Sequence, residues 1–307
     1  MQNTRYLEEL ILSRRFRFNH LAMTDIDNQA VAQIFSDAIL REEYCLFANT
    51  VADGDGYFRL LHDRLTGALG EKLPLPVARF ADGEYAFYRA SLECNGLYRQ
   101  AESAQAIHKA LPQHVAALTC LAKRGLLAPL VFPGNAQAQA KDAFPFKKQK
   151  RDSTAAEFLN FLRDHGVALT PDNYVPFYVV YAYLSSPEFA GTVSGKKICI
   201  LNSDNNEASC RGWFARQGSA PELCFVDIPR EYVATRWEAY RQPILDKIPA
   251  GVDLCIVGAG VGALLLCSDL ASHLSVPVLD AGHVLNMMND RVDKSNGARL
   301  YTLRRGS

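Results

Sequence analysis

The chain lacks a net charge: its 307 residues carry 33 Lys+Arg and 33 Asp+Glu. No bulk field of either sign draws it to nucleic acid or to an anionic membrane, so no nucleic-acid partner is expected, and any polyanion must be held by a local site. It also lacks a run of about 18 apolar residues, the length a membrane-spanning helix needs. The nearest approach, residues 252–266, is interrupted by Asp253 and by glycines and alanines. The first ten residues have no uninterrupted apolar stretch, so no secretory signal is expected there. The eight cysteines (45, 94, 120, 199, 210, 224, 255 and 267) form no Cys-x-x-Cys pair. That spacing removes the usual zinc and thiol-exchange signatures. Cys199, Cys224 and Cys255 lie in apolar, strand-like runs, where a reduced thiol behaves as a small hydrophobe. The expectation is a cytoplasmic protein with free, mostly buried thiols and no zinc site. Neither an internal repeat nor a low-complexity segment is evident.

What is present is ordinary globular material, 49% apolar and 10% aromatic, in a chain long enough for one large domain or two small ones. Residues 4–14 and 25–45 have helical spacing. In the second, Asp25 or Asp27 can cap, and Val31, Ile34, Phe35, Ala38 and Ile39 form one face. A third helix over 57–69 stops at Gly70. Pro74 and Pro76 then favour extended chain into the apolar run 75–80. A long helix is predicted over 104–123, ending at Gly125 before the apolar stretch 126–132. Residues 133–152 carry Lys147, Lys148, Lys150 and Arg151, a solvated loop on this reading, and Ser153 can cap a following helix. The aromatic, β-branched stretch 174–184 is left undecided. From Lys196 short apolar runs at 198–201, 223–226, 254–257 and 276–279 alternate with helical patterns at 207–217, 233–248 and 261–273. That alternation predicts an α/β fold: a Rossmann-like, mostly parallel sheet with right-handed crossovers and helices on both faces, ligands sitting at the carboxyl ends of the strands. Residues 1–70 read as a helical N-terminal extension and 71–307 as the α/β domain.

Three constellations carry chemistry. Asp82-Gly83-Glu84 follows a predicted strand and opens a helical pattern. As a structural turn it needs only Asp-Gly chemistry. As a site it offers hard oxygen ligands to Mg²⁺ or Mn²⁺, which pair carboxylates with a ligand's phosphate oxygens, and Arg79 adds a planar donor suited to phosphate. In the second, Gly258, Gly260 and Ala263 fit G-x-G-x-x-A, with Asp280 ending the next strand near the spacing of a ribose-binding acid. A glycine-rich turn of this kind equally serves another phosphate or plain close packing. In the third, Asp280 and His283 flank Gly282 at a strand's carboxyl end, where the histidine is either a structural hydrogen-bonding group or a catalytic one. Asn202 to Asn206 form a polar loop at the same edge.

Taken together, the segments resemble the glycosyltransferases of the GT-D fold, first described as a domain of unknown function. Arg79-Phe80-Ala81-Asp82-Gly83-Glu84 is similar to that family's Arg-Phe-Gly-Asp-Gly-Glu motif, with Ala81 in place of a glycine. Val226 to Arg230, Ile256 to Gly260 and Val278 to His283 follow in the family's order. The resemblance implies transfer of a sugar from a nucleotide-diphosphate donor, a UDP-sugar first, to a hydroxyl of a glycan, glycoprotein or lipid-linked acceptor. It implies that Asp82 and Glu84 hold Mn²⁺ or Mg²⁺ and the diphosphate. Arg79, Phe80, Gly83, Asn202, Gly258, Gly260 and Asp280 would contact the donor, and His283 and Asp290 are the remaining catalytic assignments, Asp290 standing in for an unassigned base. A lipid-linked acceptor would bring the protein to the inner membrane face, and homodimer formation is left open. An NAD(P)-dependent oxidoreductase using the 258–263 turn and a non-catalytic nucleotide-binding module stay open as alternatives.

Overall fold

The structure is a computed structural model that describes residues 54–130 and 155–290, apart from Leu97 and Pro171. The helices expected over 4–14 and 25–45, the Lys147–Arg151 cluster and the Ser153 cap lie outside the described residues. The chain builds α1 (Gly54–Glu71), β1 (Leu75–Phe80), α2 (Asp82–Tyr88), α3 (Ala104–Arg124), β2 (Leu126–Pro129), α4 (Ala155–Asp164), α5 (Phe177–Leu184) and α6 (Pro187–Val193). It continues with β3 (Lys197–Asn202), α7 (Glu207–Arg216), β4 (Glu222–Asp227), α8 (Val233–Leu245), β5 (Leu254–Gly258), α9 (Ala263–Leu274), β6 (Pro277–Asp280) and α10 (His283–Met288).

All six strands are parallel, in the order β2-β1-β6-β5-β3-β4. β1 leads outwards to β2 and β3 outwards to β4, while β5 and β6 return to fill the gap between the two pairs. The carboxyl ends of β1, β6, β5 and β3 therefore stand side by side where crossovers from both sides meet, the usual ligand crevice of an open α/β sheet. β1 and β6 are buried along their whole length and β3 and β5 everywhere but their ends. Such continuous apolar runs are what a sheet covered on both faces requires. The β2 edge is covered by residues 173–175, with Leu127 N donating to Asn173 O and Val175 N to Leu127 O.

Several helices follow directly from local signals. α3 starts where Ser103 Oγ accepts from Ala106 N and stops at Gly125 with Lys123 and Arg124 in its last turn, each favourable to the helix termini. Its buried face is Ile107, Ala110, His114, Ala117, Leu118 and Leu121. The stretch left undecided by sequence is the helix α5. Residues 177–184 are apolar or aromatic throughout, so the sequence has no amphipathic stripe to read, and Phe177, Val179, Val180, Tyr181, Tyr183 and Leu184 are buried. α1 packs against this region through Tyr57 on Tyr174 and Phe58 on Tyr183. The described part of the expected N-terminal extension thus shares one core with the sheet. The seven described cysteines are free thiols, five of them buried. No described helix is long and apolar enough to cross a membrane.

Candidate functional site

A cavity of about 650 Å³ lies over the carboxyl ends of β1, β5 and β3, with the β6–α10 turn on one side, within the range of small-molecule sites. Asp82, Gly83 and Glu84 enter it from the turn after β1, Asn202 from the end of β3, Gly258 and Gly260 from the turn after β5, and His283 from the start of α10. Residues from separate segments named on sequence grounds thus share one wall.

Asp82, Gly83 and Glu84 form the first turn of α2 rather than a loop before it. Glu84, at the third helical position, turns back so that its Oε2 accepts from Ala81 N at 2.8 Å, which satisfies one of the helix's orphan donors. Asp82 is exposed and Glu84 half-buried. Two residues apart on a helix, they do not face each other. Burial raises the Glu84 carboxyl to about 7; the Asp280 carboxylate adds to the rise, and the Ala81 N–H and the Arg79 guanidinium oppose it. Among the described residues no group of three or more His, Cys, Asp or Glu is placed to hold a metal ion. A closed protein cage is therefore not what these residues fit. An ion at this turn would have to share one or two carboxylates with water and a ligand's phosphate oxygens, as Mg²⁺ commonly does.

α2 is held from below by a buried histidine. His114 Nε2 lies 2.8 Å from Ala234 O and Nδ1 3.1 Å from Tyr88 Oη. A carbonyl only accepts, so Nε2 carries the proton and Nδ1 accepts from the tyrosine. Burial lowers this imidazole to about 4 against the bond to Ala234. The neutral ring joins α2, α3 and α8.

Arg79 lines the cavity, with its donors committed inside the protein. Its guanidinium is buried, with Nη2 on Asp280 Oδ1 at 2.7 Å, Nε on Asp280 O at 2.9 Å and Nη1 on Tyr181 Oη at 2.5 Å. Its charge centre lies over the rings of Phe177 and Tyr181, at 5.0 and 4.6 Å. Burial opposes the charge, yet the adjoining Asp280 carboxylate and Tyr181 hold its pKa above the ordinary arginine value. Each guanidinium nitrogen is thus engaged within the protein, and Arg79 ties β1, β6 and α5 together. Asp280 is equally committed: its Oδ1 also accepts from Gly282 N at 3.1 Å and its Oδ2 from Arg79 N at 3.2 Å. It is 3% exposed and does not line the cavity. Gly282 is glycine for a steric reason, since a Cβ there would stand 1.8 Å from Arg79 Nη2, at a φ of +42°.

The glycine-rich turn after β5 is filled by the protein itself. Val261 N donates to Gln100 Oε1 at 3.0 Å. A Cβ on Gly260 would meet the Gln100 amide at 2.6 Å, one on Gly258 would meet Leu285 Cδ1 at 2.7 Å, and one on Gly262 would meet Val233 Cγ1 at 2.6 Å. Of the readings open for this turn, close packing accounts for all three glycines. A dinucleotide would need the turn's amides and a ribose-binding acid, but Gln100 takes the Val261 amide and Arg79 takes Asp280.

Two further assignments change. Phe80 is core: it is fully buried and stacks on Phe158 at 4.8 Å, because successive strand residues point to opposite faces. Asp290 is exposed beyond the far end of α10, in left-handed backbone, and is not among the cavity-lining residues. His283 lines the cavity with its ring 6.4 Å from Tyr181 and Nδ1 3.4 Å from Asn286 Nδ2. Sequence reasoning missed Gln100, Tyr98, Phe177, Tyr181 and Arg230 as lining residues. Phe177 and Tyr181 lay in the stretch that the sequence left undecided. Gln100 and Tyr98 carry no local signal, whereas Arg230 ended a segment already singled out.

No family model and no curated protein matches the chain. Two solved structures are similar to it. One, a new glycosyltransferase (DUF1792) from Streptococcus sanguinis, is 16% identical, with 73% of this chain and 81% of that chain covered and a TM-score of 0.42. The other, the selenomethionine-substituted domain of unknown function 1792, is 15% identical, with 75% and 83% covered and a TM-score of 0.45. Likeness at this level carries no functional weight.

Proposed function

We propose that the cavity binds a nucleotide-diphosphate sugar together with a divalent ion and transfers the sugar to an acceptor hydroxyl. The observation that carries this reading is the gathering of Asp82, Glu84, Asn202 and His283 around one cavity at the carboxyl edge of a parallel sheet. The charge balance supports it. Arg79 is neutralised by Asp280 and Glu93 pairs with Arg89, while Asp82 and Glu84 bring their carboxylates to the cavity. A bare diphosphate would be repelled by those carboxylates. A divalent ion shared between them and the phosphate oxygens would turn repulsion into attachment and stabilise the departing diphosphate.

In the transfer itself the acceptor oxygen forms a bond to the anomeric carbon, the bond from that carbon to the diphosphate oxygen breaks, and the hydroxyl proton passes to a base. His283, which lines the cavity, is the base on this reading. The Arg79–Asp280 pair holds the β6–α10 turn from which His283 projects. The donor nucleotide is uridine on this reading, and the acceptor a glycan, glycoprotein or lipid-linked hydroxyl.

A thermal-shift panel of UDP-, GDP-, CMP- and dTDP-sugars with and without Mn²⁺, followed by chromatography of donor consumption, tests this. A Mn²⁺-dependent upward shift with one sugar nucleotide, and its slow hydrolysis without acceptor, is expected. Stabilisation by NADH or NADPH with no response to any sugar nucleotide contradicts it.

A further inference from the structure

With Arg79 consumed inside the wall, the cavity needs another cation to meet a ligand's phosphates, and we infer that Arg230 is that residue: a pre-oriented guanidinium that binds the terminal phosphate of a nucleoside diphosphate. The inference rests on the nucleotide reading above for the identity of the ligand. The geometry of Arg230 stands apart from it.

Arg230 lines the cavity from the loop between β4 and α8 and is exposed. Its charge centre lies 5.3 Å from the centroid of the Tyr98 ring, which lines the same cavity. A cation–π contact holds the charge centre without supplying an acceptor for the guanidinium's N–H groups, the part that pairs bidentately with phosphate. Its neighbours are spent on carboxylates, Arg99 on Glu231 and Arg236 on Glu102. Arg230 has no carboxylate partner among the described residues. Arg79 and Arg230 are the only Lys or Arg in this wall among the described residues, and they divide the work: one buried and paired, the other open.

The backbone that presents Arg230 is fixed on both sides. Ile228 N donates to Asn202 O at 3.1 Å, and Tyr232 N donates to Arg99 O at 2.7 Å. The second bond ties the loop to the segment that carries Tyr98, so cation and ring are held together before any ligand arrives. Pre-orientation of this kind cuts the ordering cost of binding. It also places a positive group in the cavity that the Asp82–Glu84 turn lines.

Calorimetric titration of the full chain with UDP and with inorganic pyrophosphate, each with Mn²⁺, tests the assignment on wild type, R230A and R230K. Because the residue is exposed, both variants should keep the wild-type melting temperature. R230A should weaken UDP about 10- to 100-fold, the range of a lost charge-assisted pair. R230K should recover part of that, since an ammonium restores charge without the planar fork. UDP bound by R230A within twofold of wild type overturns the role of Arg230 and leaves the transferase reading standing. Pyrophosphate bound by wild type and lost in R230A, with no UDP binding to either, removes the nucleotide and upholds the Arg230 anion site. No binding of either probe to wild type overturns both.

Discussion

Two strand-to-helix turns stand at the same edge of the sheet and do opposite things. The turn after β5 has the glycine pattern associated with phosphate, yet Gln100, Leu285 and Val233 fill the space its glycines leave. The turn after β1 has a single glycine whose Cβ would meet nothing within 4 Å, and it brings two carboxylates to the cavity. The contrast teaches that glycine count measures how closely something approaches the backbone, whether ligand or protein. Polar side chains that line the cavity are the better guide to chemistry.

If the acid turn is the working one, Asp82→Asn has the largest effect: transfer falls by about 10²–10³-fold, the scale of losing one charge-stabilising group, while the melting temperature stays near wild type. Kinetics of donor turnover at saturating Mn²⁺ check this, and equal turnover would reverse the ranking of the two turns.

The next effect concerns the support beneath that turn. His114 is held neutral, with its pKa lowered to about 4 by burial, whereas the unfolded chain protonates its histidines near 6.5. Above that value the residue adds no pH dependence. As pH falls from about 6.5 to 4 the unfolded state takes up a proton that the folded state refuses, so stability drops by on the order of 3 kcal/mol. Urea melts of wild type and His114→Gln between pH 7.5 and 5 should show this limb in the wild type and a flatter one in the variant. Parallel curves would remove His114 from the account.

Packing in the glycine turn gives the smaller effects. Gly262→Ala forces a Cβ against Val233 and should cost about 2 kcal/mol by overpacking, read as a lowered urea midpoint, with the nucleotide affinity of the surviving fold unchanged. Gln100→Ala strands the Val261 amide and should cost about 1 kcal/mol. A gain of NADH binding in that variant would show that the glutamine fills a latent dinucleotide site, while its absence marks the turn as packing alone.

The sheet was legible because parallel strands leave short apolar runs, and β3, β4, β5 and β6 each coincide with one. α5 was not, since a segment that is apolar or aromatic at every position has no periodicity to name it a helix. The acid turn and His283 could be read locally, from a carboxylate pair or a polar group at a strand end. The roles of Arg79 and Val261 could not: Asp280 lies 201 residues from Arg79 and Gln100 161 residues from Val261. A residue's chemistry shows in its type, but whether that chemistry is already spent shows only when a distant partner is brought beside it.

The most direct test of the acid turn is Mn²⁺-dependent UDP binding measured by calorimetry in wild type, Asp82→Asn and Glu84→Gln, with NADH as the control ligand. Binding in wild type that needs Mn²⁺ and is lost in both variants is the predicted result. Binding that is independent of Mn²⁺ or unaffected by either substitution would contradict it.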